Sequence, residues 1–304
     1  MTLRKATDSL PRASGLSRRG LLKAGVGLAG FAGLLMPSTA AYAAAEAAND
    51  LIVTNYRLSP PGWRKGQRLT ITVIADIHAG GPNMGIARVR EVVDAAQALK
   101  SDLIVVLGDY FANHHFVTER VPASAWSAEL ARLRAPLGVY AILGNHDWWY
   151  DLDAVRGAFA NIPVPLMEND VALIGKEGER FWLAGLGDQL AHWVGHSQFE
   201  GVDDLPGTLA RVTTDDPVIL LAHEPDIFTQ VPERVALTLS GHTHGGQIRL
   251  PLVTPVWAPT EYPRFIYGHV VERNRHLIVS GGLGCSKVPL RLGVPPEIVR
   301  IELG

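Results

Sequence analysis

Cys285 is the one cysteine among 304 residues, so no disulfide can form within the chain. Stability has to come from a buried core, and a hydrophobic content of 47% is enough to build one. Beyond Leu51 there is no repeat, no low-complexity run and no charged linker, which excludes solenoid arrays and favours a single domain. No Lys/Arg block occurs there either. Residues 1–43 hold six of the 28 basic side chains and one of the 30 acidic ones, leaving 22 against 29 and a net charge near −7. That balance argues against a general nucleic-acid-binding scaffold and against electrostatic attachment to anionic lipid.

Long apolar runs are missing as well. The stretch from Ala24 to Leu35 is small, Gly/Ala-rich and too short for an ordinary membrane span. It follows Ser17-Arg-Arg-Gly-Leu-Leu-Lys23 and precedes Ala41-Tyr42-Ala43, an A-x-A cleavage pattern. Twin arginines, a short apolar run and that site predict a twin-arginine signal over residues 1–43, removed to leave a domain over 44–304. The implied partner during export is the twin-arginine translocase, and the implied location is the periplasm or cell envelope. An uncleaved signal would act as an anchor and bring membrane-surface contact.

What the remainder does contain is a series of short, continuously apolar runs. Leu69–Ala75, Leu103–Leu107, Val139–Leu143, Val218–Ala222 and Val235–Leu239 predict strands buried on both faces of a sheet. Further strand candidates are Val171–Ile174, Phe181–Leu186, His276–Ser280 and Ile298–Leu303. Between the first two runs, Ile86, Val89, Val93, Ala96 and Leu99 recur at three and four, predicting a helix over 86–100 with one apolar face. Trp126, Leu130 and Leu133 repeat the spacing. These patterns predict an α/β fold with helices outside the sheets.

The five buried runs end in chemistry: Asp76-Ile-His78, Gly108-Asp109, Gly144-Asn145-His146-Asp147, His223 and Gly241-His242-Thr-His244. In α/β folds ligands gather beyond the carboxyl ends of strands. Period-2 geometry sends His242 and His244 to one face, so the pair could chelate one metal, reach two, or lie solvated at a strand end. Carboxylate, imidazole and amide oxygen without thiolate suit Mn²⁺, Fe²⁺ or Zn²⁺. Seven such donors are too many for one ion and fit two ions sharing a carboxylate.

In their order and in their spread from Asp76 to His244, these blocks resemble the calcineurin-like metallophosphoesterase family. The resemblance implies a two-sheet β sandwich flanked by helices and a site for two divalent metal ions. One ion would be held by Asp76, His78, Asp109 and His244, and the other by Asp109, Asn145, His223 and His242, with Asp109 as the bridge. It also implies hydrolysis of an anionic phosphoester by a metal-bridging hydroxide. His146 matches the family histidine that faces the substrate and is expected to carry a proton to the leaving oxygen. Asp147 is expected either to orient that imidazole or to cap the helix that follows. Purple acid phosphatases carry Gly-Asp-x-x-Tyr where this chain has Ala112, so a tyrosinate-bound ferric ion is not expected.

The blocks around His223 and His242, with Pro289-Leu-Arg291 and Pro295-Pro296-Glu297, look most like a bacterial exported branch containing envelope phosphodiesterases. That implies a phosphodiester or pyrophosphate bond in a cell-envelope or lipid-linked substrate. A phosphomonoesterase with the same metal centre, or a non-catalytic metal-binding scaffold, would show the same motifs. Outside them, Trp148, Trp149 and Tyr150 either stack on substrate or cover the core. His114, His115, His192 and His196 either line the mouth or sit solvated. Arg249 and Arg291 either clamp phosphate or serve structure, and Cys285 reads as a buried filler.

Overall fold

A computed structural model describes residues 39 and 41–304, apart from 176–177, 197, 250–254 and 256–257. The twin arginines and the apolar run 24–35 lie outside the described residues. Ala43–Gly304 forms one compact unit.

Two sheets carry it. The first has the order β1 (Ile52–Leu58), β13 (Glu297–Leu303), β2 (Leu69–Ile74), β3 (Leu103–Val106), β4 (Val139–Ala141). The second runs β11 (Gly268–Glu272), β12 (Arg275–Val279), β10 (Val235–Ser240), β9 (Val218–Leu221), β6 (Phe181–Gly185), β5 (Asp170–Ile174). Parallel pairing joins β2 to β3 to β4 and β6 to β9 to β10 to β12, with antiparallel β5 and β11 at the edges of the second sheet.

The apolar runs are continuous because both faces of each strand are covered. Alternate residues point to opposite faces. Ile71, Val73, Leu103, Val105, Ile219, Leu221, Leu237 and Leu239 meet between the sheets. Their neighbours Ile74, Ile104 and Val106 turn outward, against Val89, Val92, Val93 and Ala96 of helix α1 (Ile86–Ala98) and against Trp126 and Leu130 of α2 (Ala123–Leu130). On the far side, Val218 and Leu220 pack against Leu205 of the short helix Leu205–Ala210 and against Ile227 and Phe228 of a 3₁₀ turn, Pro225–Thr229. Burying each such aliphatic side chain contributes roughly 1.5–3 kcal/mol. The result is the expected two-sheet sandwich flanked by helices.

The nine strands expected from the sequence all form, with ends shifted by two residues at most. Four others were not legible: β1, β11 and the two strands of the β7–β8 hairpin (His192–Gly195, Gln198–Glu200). The hairpin pairs with itself and with neither main sheet. Among the described residues no helix is long and apolar enough to cross a membrane.

Candidate metal centre

The carboxyl ends of β2, β3, β4, β9 and β10 converge on one edge, and each delivers its motif there. Asp76, His78, Asp109, Asn145, His223, His242 and His244 are all buried. Five of them, Asp76, His78, Asp109, His242 and His244, take positive φ between 43° and 69°, a region that side chains other than glycine enter at a cost. Strain concentrated on these residues marks a place where the surroundings over-determine the backbone.

Glycine lets the loops approach closely enough. A Cβ on Gly144 would run into the Asp109 carboxylate and the His223 ring, and one on Gly241 would run into Asp76. Tyr110, next to Asp109, is fully buried; it stacks on Trp126 at 4.9 Å and its hydroxyl donates to Ile142 O at 2.8 Å. The core thereby fixes the loop that presents Asp109.

The ligand atoms of Asp76, His78, Asp109 and His244 lie within 4.8 Å of one another. His78 Nε2 is 3.1 Å from His244 Nε2 and 3.4 Å from Asp109 Oδ2. His223 Nε2 stands 3.3 Å from the same Asp109 oxygen, and His242 Nδ1 is 2.8 Å from Asn145 Oδ1. Asp109 thus sits between two neighbouring donor groups. His78 Nδ1 faces Phe111 O at 2.9 Å and His223 Nδ1 faces Leu107 O at 2.6 Å. An N–H donated to each carbonyl leaves the Nε2 lone pair directed inward, as metal ligation requires. Asp76 Oδ2, His223 Nε2 and His242 Nε2 are buried without a hydrogen-bond partner, an arrangement that costs free energy unless a cation fills it. The residues present fit divalent ions.

Electrostatics divide the imidazoles: against burial, Asp109 raises His78 and lifts His223 well above the usual value, whereas His242 and His244 are lowered. Burial opposes charge on Asp109, but His223, His146 and His78 overcome it and hold its carboxyl well below the usual range. Burial, with His223 opposing, pushes Asp76 up to about 6. Burial and His223 hold His242 down to about 3, and burial with His78 and Arg291 holds His244 well below its usual value. Both imidazoles are neutral at pH 7, which is the ligating form.

His146 is half-buried, its ring 4.9 Å from that of His78. Asn113, which sequence reasoning missed, takes the role expected of Asp147: its Oδ1 lies 2.6 Å from His146 Nδ1. Asp147 instead accepts from the backbone N–H of Asp109 and Gly144, each at 2.9 Å, and of Tyr110 at 2.8 Å. It ties the β3 loop to the start of helix α3 (Asn145–Tyr150), close to the helix-capping alternative. Asp147→Ala would strand three buried donors and is expected to cost about 3 kcal/mol or more, a fall in Tm of roughly 6–12 °C by scanning calorimetry.

The remaining candidates are placed as follows. Arg291 is fully buried behind the site, donating to Gly284 O and Val294 O and lying 3.2 Å from His244 Nδ1; it clamps backbone, not solvent-borne phosphate. Arg249 lies over the Tyr267 ring. His192 packs edge-on to Trp148 at 5.0 Å, and His114 Nδ1 accepts from Phe116 N. Cys285 is buried with a raised thiol pKa, as a filler would be.

A two-sheet sandwich whose strand ends bring together carboxylates, imidazoles and an amide defines a metal-dependent hydrolase of phosphoric esters. A family model described as calcineurin-like phosphoesterase matches residues 69–246, and the chain belongs to that family. An uncharacterized metallophosphoesterase of Aquifex aeolicus is 30% identical over 254 residues, covering 83% of this chain and 92% of that protein. Phosphodiesterase YaeI of Escherichia coli is 29% identical over 237 residues, covering 77% and 81%. A Danio rerio transmembrane protein with metallophosphoesterase domain is 29% identical over 246 residues, 77% of this chain. The chain spans 53% of that last relative's length.

Proposed function

We propose that the protein is a two-metal phosphodiesterase acting on a phosphodiester or pyrophosphate bond in a cell-envelope or lipid-linked substrate. The observation that carries this reading is the position of Asp109 between two sets of buried donors. Asp76, His78, Asp109 and His244 would hold one ion, and Asp109, Asn145, His223 and His242 the other. When bound, such ions (Mn²⁺, Zn²⁺ or Fe²⁺) offset phosphate charge and bring the pKa of water towards neutrality.

The chain's own residues supply the rest. With Nδ1–H donated to Asn113, the proton His146 can deliver is the one on Nε2. Burial holds this ring's pKa down to about 4, so the imidazolium needs a nearby negative charge. A bound phosphate provides one, which couples protonation of His146 to the presence of substrate.

Two features support a diester with an apolar portion. Beside His242 lies a pocket of about 420 Å³ whose lining includes Glu224, Asp226 and Glu261 and, among the described residues, no Lys or Arg. Such a wall disfavours a dianionic monoester relative to a monoanionic diester. From His146 an aromatic path leads outward: Trp149 lies 5.2 Å away, Phe199 stacks on it at 5.1 Å, and Trp193 on the same hairpin is 70% exposed. Exposed aromatics in continuity with a site suit an acyl or aryl substituent. The name of the Escherichia coli relative agrees with the diester reading.

A panel of bis-aryl phosphate, aryl monophosphate and UDP-lipid pyrophosphate, each with Mn²⁺, Zn²⁺ or Mg²⁺, tests the proposal. Diester hydrolysis is expected to exceed monoester hydrolysis and to vanish with EDTA. Turnover of the monoester alone would replace the reading with a phosphomonoesterase, and no turnover with metal bound would leave a scaffold. Export is proposed through the twin-arginine signal to the periplasm or envelope. Replacing Arg18 and Arg19 by Lys should leave precursor in the cytoplasm on fractionation; normal export would refute the signal.

A further inference from the structure

We infer that Glu224 is an additional ligand of the second metal position, alongside His223 and His242. The inference rests on the two-metal reading above and concerns a residue outside its seven donors. Ligand atoms of His223, Glu224 and His242 lie within 4.8 Å of one another. Donors on opposite sides of one ion, at bonds of roughly 2.1 Å, stand about 4.2 Å apart, so this trio is close to ligating geometry without an ion to draw it in.

The placement of Glu224 follows from the chain. β9 ends at Leu221, and Glu224 comes directly after His223, just before the 3₁₀ turn that Pro225 opens. Its side chain is held inward: residue exposure is 3%, and Oε2 accepts from Gln189 N at 3.1 Å. Oε1 is buried, and no N–H or O–H of the described residues donates to it. Its polar neighbour is the equally buried carboxyl of Asp188, which can donate only when protonated. His223 Nε2 and His242 Nε2 are likewise buried without a hydrogen-bond partner. An open imidazole nitrogen of His223 and an open carboxylate oxygen of Glu224, beside a His242 ring whose Nδ1 meets Asn145 Oδ1 at 2.8 Å, are costly together unless a cation satisfies them.

The chemistry that follows is specific. With Glu224 the second position offers three oxygen donors, from Asp109, Asn145 and Glu224, and two imidazoles. A harder, more negative set of this kind favours Mn²⁺ or Fe²⁺ more than an imidazole-dominated set would.

Mn²⁺ binding to the full chain, titrated with metal content read by elemental analysis, tests this. The unmodified protein is expected to take up two ions. Glu224→Ala is expected to weaken the second ion at least tenfold while the first is unchanged, and Glu224→Gln, which keeps a neutral oxygen and the shape, should fall between. Glu261→Gln removes an exposed acid from the same pocket and should leave both affinities as they were. Unchanged second-ion affinity in both Glu224 variants overturns the inference and leaves the two-metal reading intact. An equal loss in Glu261→Gln also overturns it, by assigning the effect to pocket charge. Uptake of fewer than two ions by the unmodified protein refutes the two-metal reading and the inference with it.

Discussion

Asp109→Ala is expected to leave neither ion stably bound and to lower kcat/KM by more than about 10³-fold, since metal stabilisation of a phosphoryl transition state is worth several kcal/mol. The reason is position. Its Oδ2 lies 3.4 Å from His78 Nε2 and 3.3 Å from His223 Nε2, one imidazole from each donor group, and its Oδ1 accepts from His146 N at 2.9 Å. Among the described residues no other carboxylate approaches both groups with this geometry; Asp76 Oδ1, at 3.9 Å from His223, is more distant from the second. Asp109→Asn separates the causes. It keeps the acceptor for His146 N and nearly the same volume but removes the charge, so loss of metal in Asn and Ala alike assigns the effect to charge. Metal content by elemental analysis, beside diester turnover, reads the result; two ions at normal occupancy in Asp109→Ala would end the bridging assignment.

His146→Ala is expected to behave in the opposite way, with both ions retained and kcat down by about 10²- to 10⁴-fold, the range for loss of a positioned general acid. Its ring is anchored by Asn113 and meets the candidate ligands only edge-on to His78, while its backbone N–H donates to Asp109. The side chain can be removed while the Asp109 contact persists. The loss should shrink for a diester with an acidic leaving group such as p-nitrophenol, which departs without a proton, and should be greatest for an alkyl leaving group. Loss of metal in His146→Ala would move the residue among the ligands, and an equal loss for all leaving groups would remove its role as acid.

These predictions rest on residues that can be found in the chain without coordinates, because each sits where an apolar run stops. Leu69–Ala75 and Leu103–Leu107 read as strands because covered strands need apolar side chains at every position. The polar residues that follow have no place in a core and stand out. β1 was invisible for the converse reason. Its Asn55 and Arg57 interrupt the pattern, and it forms by parallel pairing with β13 some 240 residues further on. The β7–β8 hairpin exposes Trp193, Val194 and Phe199, so no burial pattern marks it.

By itself the sequence determined the α/β class and the order of the strand-end motifs, because strand burial and strand-end chemistry are written locally; the choice of seven donors among those residues is what the family resemblance implies. Only the tertiary structure decided which partner each donor has. Asn113 and not Asp147 holds the His146 ring, Asp147 clamps three backbone N–H groups, and Glu224 turns an unpartnered oxygen inward beside His223 and His242. Apart from the Gly144–Asp147 cap and the adjacency of His223 and Glu224, those contacts join residues from separate loops, and their distances depend on how the two sheets pack and how glycines let the loops close. Nothing in the local order of residues encodes them.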